Sequence, residues 1–265
     1  MPTPLPTYFI PHGGGPCFFM EWPGDPHMWD RMADFLRGLA GDAGARPKAV
    51  LVVSGHWQED AFTVNAGARP PLLFDYYGFP PHTYQLQYPA PGSPGLAGRV
   101  QALLREAGLP AAENAERGYD HGVFVPFKLI YPQADVPIVQ LSMKNGLDPA
   151  EHLRAGAALA PLRDEGVLIV GSGMSFHNMR GFTPAFRDAS LRFDDWLAAA
   201  VALPPAERER ALVQWRDAPD ALKAQPHPDH LLPLMVAAGA AAGDAGRRIF
   251  RDQVMNVVVS ACRFG

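Results

Sequence analysis

Five histidines stand in short glycine- or serine-rich contexts beside apolar runs: His12 in Pro-His-Gly-Gly-Gly, His56 in Ser-Gly-His-Trp, His121 in Asp-His-Gly, His177 in Ser-Phe-His-Asn and His230 in Pro-Asp-His. Imidazole binds divalent metals and carries protons near neutral pH. Several gathered in one pocket would make a mononuclear metal site with proton-transfer groups beside it. A lone histidine is more often a hydrogen-bonded or half-exposed side chain. One that follows a buried strand, among glycines that let the chain turn and a ligand approach, is harder to explain by packing. On that ground His12 and His56 read as metal ligands, and His177 as a ligand or a proton carrier. His121 reads as a catalytic group, with helix entry as the alternative. His230, just inside a helix expected to begin near Pro228, can turn its ring towards the end of a sheet.

The remaining histidines read differently. His227 falls at that helix cap, His27 and His152 on solvated helix starts, and His82 in a loop where ligand contact is the less favoured role. Ser172 and Ser175 near His177 suggest a nucleophile loop, but the G-x-S-x-G elbow is absent. Trp57, Phe79 and Tyr84 are candidates for aromatic pocket walls, against the ordinary alternative of core packing.

The elements that must position these side chains are legible as a pattern. Short aliphatic runs recur at Tyr8–Ile10, Ala49–Val53, Pro137–Leu141, Val167–Val170 and Asn256–Ser260, as expected of strands buried on both faces. Between them lie helical spacings with clear starts. Ser93-Pro94 opens a helix towards Ala107, and Asp148-Pro-Ala-Glu151 combines an N-cap, a proline at N1 and a glutamate at N3. The run Val123–Ile130 is helix-like, Phe182–Lys223 reads as two or three helices packed on the sheet, and residues 67–91 read as an ordered, proline- and aromatic-rich loop or lid. The whole predicts one α/β domain over residues 1–265, with a central, mostly parallel or mixed sheet covered by helices on both faces. In such sheets ligand sites gather at the carboxyl ends of the strands, where His12, His56 and His177 fall.

Composition narrows the function classes. The 265 residues are 48% hydrophobic, enough for a full core. Lys and Arg number 23 against 27 Asp and Glu, with no run of like charge, so nucleic acid and acidic membrane surfaces are not expected partners. Two cysteines, Cys17 and Cys262, offer neither a disulfide framework nor a Cys-x-x-Cys ligand pair, which suits a reducing compartment. The N-terminal segment lacks a basic stretch and does not read as a signal peptide, and Leu231–Gly243 is too short to span a bilayer. A cytoplasmic protein, monomeric or a small homo-oligomer, is the expectation.

Taken in order along the chain, a set of motifs resembles the class III extradiol ring-cleavage dioxygenases, in particular their 4,5-DOPA extradiol dioxygenase-like branch. The set comprises the His12-Gly segment, Ser54-Gly-His-Trp57, Tyr77-Gly-Phe-Pro80, Tyr88-Pro-Ala-Pro-Gly-Ser-Pro94, Gly118-Tyr-Asp-His-Gly122, Pro137-Ile-Val-Gln-Leu-Ser142, Gly171-Ser-Gly173 with His177-Asn178, and His230-Leu-Leu-Pro-Leu234. The resemblance implies that His12, His56 and His230 hold one divalent metal, with His177 at or beside it and His121 as an acid–base residue. It implies Fe(II) for activity, with Zn(II) plausible in purified protein because the third ligand is a neutral histidine. The implied reaction inserts both atoms of dioxygen into a catechol-type ring and opens it next to the diol to give a semialdehyde. Arg180 is a candidate partner for a substrate carboxylate. The family often reads His-Gly-Ser-Pro where this chain has His12-Gly-Gly-Gly-Pro16, which leaves the loop around Cys17 to be decided by structure. A zinc hydrolase using the same ligands, or a non-enzymatic binding protein on the same fold, are the alternatives.

Overall fold

A computed structural model describes residues 4–265. Met1–Thr3, part of the N-terminal segment discussed above, lie outside the described residues. The strands are β1 (Thr7–Pro11), β2 (Ala49–Glu59), β3 (Phe62–Asn65), β4 (Ala111–Asn114), β5 (Ile138–Lys144), β6 (Val167–Gly173), β7 (Gly246–Val254) and β8 (Val257–Phe264). They form one sheet in the order β4-β3-β5-β2-β6-β1-β8-β7. Its centre, β5-β2-β6-β1, is parallel, and β8 and β7 extend it antiparallel beyond β1. The α-helices are α1 (Asp30–Asp42), α2 (Pro94–Glu106), α3 (His121–Ile130), α4 (Pro149–Leu159), α5 (Arg187–Ala202), α6 (Pro205–Val213), α7 (Ala221–Ala224) and α8 (Leu232–Ala240). The expected α/β architecture with a mixed sheet is therefore present.

The helix starts follow from local chemistry. Ser93 Oγ accepts from the Leu96 amide at the head of α2, and Asp148 Oδ1 from the Ala150 amide at the head of α4. Residues 182–223 contain α5, α6 and the start of α7, with α5 packed on β7 and β8. The aliphatic strands are buried throughout, since α3 covers β2 and β6 while α8 covers β6, β1 and β2. Successive residues of β6 show that these helices lie on opposite faces. A Cβ at Gly171 would overlap the Pro233 carbonyl, and one at Gly173 the His230 carbonyl, so both glycines admit the entry to α8. Between them Ser172 points the other way and donates to the Gly122 carbonyl of α3. Pro126, four residues on, has no N–H to offer that carbonyl, so the serine satisfies what the proline leaves open.

Three differences from the sequence reading have physical causes. β2 runs on to Glu59, with a register shift against β5 between Val53 and Gln58, so His56 lies inside an irregular strand and not after one. Asn256 is not the start of a strand. With Met255 it makes a two-residue hairpin turn, both at positive φ (45° and 74°), between the paired Val254 and Val257. Its partner β7 was not foreseen, because Gly-Arg-Arg-Ile-Phe-Arg-Asp-Gln-Val is a half-exposed edge strand without an aliphatic run.

His152 is the third difference. It is not on a solvated face but fully buried, with Nδ1 donating to the Asp148 carbonyl at 2.7 Å and Nε2 accepting from the Lys144 amide at 3.2 Å. Burial holds its pKa below the usual histidine value. The unfolded chain therefore binds a proton more readily than the folded one. Stability contributed by neutral His152 is complete above the unfolded value of about 6.5 and drains away as pH falls below it. Urea denaturation at pH 7 and pH 5 should show a smaller acid loss in His152→Gln than in the parent protein; an unchanged loss would remove His152 from the pH dependence.

Candidate metal centre

Strand register sets the first two histidines level with one another. Pro11 of β1 pairs with Gly173 of β6, and Ser54 of β2 pairs with Ser172, so His12 and His56 flank the end of β6 at one height. The His12 amide donates to the Gly173 carbonyl at 3.2 Å. The third arrives from the α8 face. A 3-10 turn, Pro228–His230, settles onto the bare Gly173, and the His230 carbonyl accepts from the Met174 amide at 3.0 Å. The fourth, His121, is the first residue of α3 on the opposite face.

The α3 end is pinned by Asp120, whose fully buried carboxylate accepts from Ser54 Oγ (2.7 Å), Gln140 Nε2 and Arg117 Nη2 (3.2 Å). Ser54 Oγ also accepts from the His56 amide. Asp120 thus ties His56 and His121 to one anchor. Arg117 lies over Trp57, 4.6 Å from the ring centroid, and Trp57 Nε1 donates to Glu59 Oε1, so Trp57 braces this strand end and does not line the cleft.

The ring nitrogens of His12, His56 and His230 offer one ligand atom each, all within 4.8 Å of one another. His56 Nε2 and His230 Nε2 face each other at 3.2 Å. Both nitrogens of His12 are buried without a hydrogen-bond partner. Burial, reinforced by the neighbouring histidines, lowers the pKa of His12 and His230 well below the usual value; burial and then His121 bring His56 down to about 3. Neutral imidazoles with converging, orphaned nitrogens fit a divalent cation, which would satisfy all three at once.

His177 lies outside that trio. Its ring stacks on His230, centroids 3.3 Å apart, with Nδ1 3.8 Å from Asp229 Oδ1, and its amide donates to the Ala224 carbonyl. Burial and His121 push its pKa down to about 4. His121 faces His56 at 3.9 Å between centroids and His12 at 5.2 Å. Its backbone amide and its Nδ1–H both donate to Asp75 Oδ1, at 3.0 and 2.8 Å. That leaves Nε2 as the free nitrogen of the neutral ring. Asp75 Oδ2 lies 3.7 Å from His56 Nδ1. Burial opposes charge on Asp75, but the His121 hydrogen bond and the adjacent rings hold its carboxyl below its ordinary value.

All five histidines singled out from the sequence therefore meet in one place, and the carboxylates beside them, Asp75 and Asp229, were missed. Asp75 sits in the proline- and aromatic-rich loop, where no periodicity marks it. A loop aspartate could have been found only by asking which acid would orient His121. The loop is ordered as expected: Leu72 bridges to Tyr119, Tyr76 Oη donates to the Thr83 carbonyl at 2.7 Å, and Tyr84 Oη accepts from the Phe79 amide. Phe79 lines the cleft, while Tyr84 supports it from behind. Gly15, at φ +55°, lets Phe79 sit where a Cβ would lie 2.8 Å from its ring. Cys17 is buried and its Sγ accepts from the Gly14 amide, which makes it part of the turn after His12.

Other candidates have structural duties. Ser172 serves Gly122, and Ser175 Oγ accepts from the Ser260 amide at 2.8 Å, so neither is a nucleophile. His27 and His227 are exposed; His27 pairs with Asp30 at 2.7 Å. His82, also exposed, contacts the Phe19 carbonyl. Arg180 is exposed and lines a neighbouring surface groove with His227 and Asp229.

The comparison with known proteins agrees with this geometry. Residues 6–262 match the model of the catalytic LigB subunit of aromatic ring-opening dioxygenase. A 4,5-DOPA dioxygenase extradiol of Beta vulgaris is 44% identical over 78% of this chain and 78% of its own. The dioxygenase tasH of Hapsidospora irregularis is 36% identical over 98% of this chain and 85% of its own. The crystal structure of an uncharacterised protein from Escherichia coli K12 superposes with a TM-score of 0.77 at 28% identity, covering 98% of this chain and all of that one. Family match, long curated alignments and a histidine centre at the sheet's carboxyl edge converge: the chain belongs to the LigB family of aromatic ring-opening dioxygenases and is a metal-dependent extradiol enzyme.

Proposed function

We propose that His12, His56 and His230 hold one Fe(II) ion and that the enzyme opens a catechol-type ring next to its diol, giving a semialdehyde. The observation that carries this reading is the pair of orphaned, buried ring nitrogens on His12 facing two further unprotonated imidazoles. The 4,5-DOPA relatives are named for a substrate bearing such a diol, and the diol is the feature taken over here. Zn(II) suits the same three nitrogens and is the metal expected to compete in purified protein. Held by His12, His56 and His230, iron would supply Lewis acidity towards the diol and the electron exchange that lets dioxygen react.

The chain's own residues supply the proton chemistry. Asp75 fixes His121 in the tautomer whose Nε2 is free, so Nε2 takes a phenolic proton as the diol seats and Asp75 stabilises the resulting imidazolium. His177, stacked on His230 at the cleft wall, is the second proton carrier, with Asp229 Oδ1 3.8 Å from its Nδ1. The apolar walls keep bulk water from the reacting ring. Residues 1–265 act as one catalytic domain in this reading, without nucleic acid or membrane; among the described residues no helix is long and apolar enough to cross a bilayer.

Anaerobically reconstituted Fe(II) protein should consume one dioxygen per catechol and form a yellow ring-opened product. No uptake across a broad catechol panel, with iron bound, would refute the assignment. His12→Ala and His56→Ala should each lose stoichiometric metal by elemental analysis. His121→Ala and Asp75→Asn should keep the metal yet lower kcat by about 10²- to 10⁴-fold, the usual range for removing an acid–base group. Full turnover in either variant would take the proton role away from this pair.

A further inference from the structure

The cleft over the histidines has a volume of about 530 Å³, within the range of pockets that enclose a whole small molecule. Its wall holds an indole that the metal centre does not use. Trp29, at the head of α1, is 4% exposed and packs edge-to-face with Phe18 and Trp22, ring centroids 6.2 and 5.3 Å away. A Cβ at Gly14 would lie 3.5 Å from Trp29 Cζ2, so the edge of the ring next to Nε1 abuts the turn that follows His12. Among the described residues lining the cleft, the buried side-chain nitrogens and oxygens without a hydrogen-bond partner are the two nitrogens of His12 and Nε1 of Trp29. Other polar groups of the wall are already engaged: Tyr76 Oη donates to the Thr83 carbonyl, and Asp75 accepts from His121. Tyr77 is 92% exposed and open to water.

A buried N–H without an acceptor costs the fold the hydration it gave up, and native structures leave few of them. The orphaned nitrogens of His12 are completed by a cation in the reading above. An indole differs, because Nε1–H is a donor only and what completes it is an acceptor. The diol oxygens are taken up at the histidines, so this acceptor belongs to another part of the bound molecule. We propose that Trp29 is a specificity-determining residue whose Nε1–H donates to an oxygen acceptor, a carboxylate or a ketone carbonyl, on the substituent of the catechol ring. The inference rests on the catechol-opening reading above. Among the described residues no lysine or arginine lines the cleft, so a neutral donor performs the recognition that a cation would otherwise perform. An alkyl substituent would leave the indole unpaired, and that difference is the source of discrimination.

The test observes the indole directly. In nitrogen-15-labelled Zn(II) protein, which cannot pass electrons to dioxygen, the five tryptophans should give separate indole N–H signals, and magnetisation transfer to the Phe18 and Trp22 rings identifies that of Trp29. Binding of 3,4-dihydroxybenzoate or 3,4-dihydroxyacetophenone should move the Trp29 proton downfield, and 4-ethylcatechol should leave it in place. A shift with only one of the first two supports the inference and names the acceptor. Trp29→Phe, which keeps an aromatic wall, should raise KM for the acceptor-bearing catechols about tenfold in oxygen uptake by the Fe(II) protein and leave KM for 4-ethylcatechol unchanged. An equal shift with 4-ethylcatechol, no shift with any bound ligand, or a KM rise common to all three overturns the inference. Oxygen uptake by the parent protein on unsubstituted catechol scores the underlying reading on its own: turnover there with a silent indole sinks only the Trp29 assignment. A selective shift without uptake on any catechol sinks only the ring-opening assignment.

Discussion

Five imidazoles are confined to one small space, and much of the rest of the molecule serves that constraint. Burial first, and neighbouring rings second, lower the proton affinity of His12, His56, His177 and His230, and the two nearby carboxylates touch only some of the rings. In water such a cluster would disperse. Here β2 and the turn Pro228–His230 hold the facing nitrogens of His56 and His230 3.2 Å apart, with both His12 nitrogens unpartnered. Orphaned groups of this kind are ones that a bound cation would satisfy, removing a penalty that the fold imposes.

Holding them there takes contributions from both faces of the sheet. Alternation along β6 divides the labour, since Gly171 and Gly173 make room for the turn that carries His230, while Ser172 reaches the other way to the head of α3 and His121. Parallel pairing of β6 with β1 and β2 sets His12 and His56 at one height. Asp120 then locks Ser54 of β2, Gln140 of β5 and the start of α3 to a single carboxylate. Burial, and then Asp75, raise its pKa, an opposition to charge that the Ser54 and Gln140 hydrogen bonds counter.

The remaining walls come from segments outside the central strands: the turn after His12, the aromatic loop between β3 and α2, the segment after β6 and the β7–β8 hairpin tip at Met255. The strands that carry His12 and His56 are thus distinct from the segments that make these walls.

Much of this was legible in the residues alone. Aliphatic runs marked the buried strands, capping residues marked α2 and α4, and histidines next to glycines at strand ends marked the centre, because each signal is local and has a backbone cause. The order of motifs also carried the family. What local pattern could not contain was decided by tertiary structure. Asp75 acquires its role only when the loop folds back over α3, and His152 is buried only because α4 packs down beside β5. Edge strand β7 exists only because β8 offers it a ladder, and the stacking of His177 on His230 is visible only in the folded chain. The sequence by itself determined which side chains could bind metal or move protons. Which nitrogen faces which, and which acid stands behind it, depended on contacts tens to hundreds of residues apart, and those are set by strand register and layer packing.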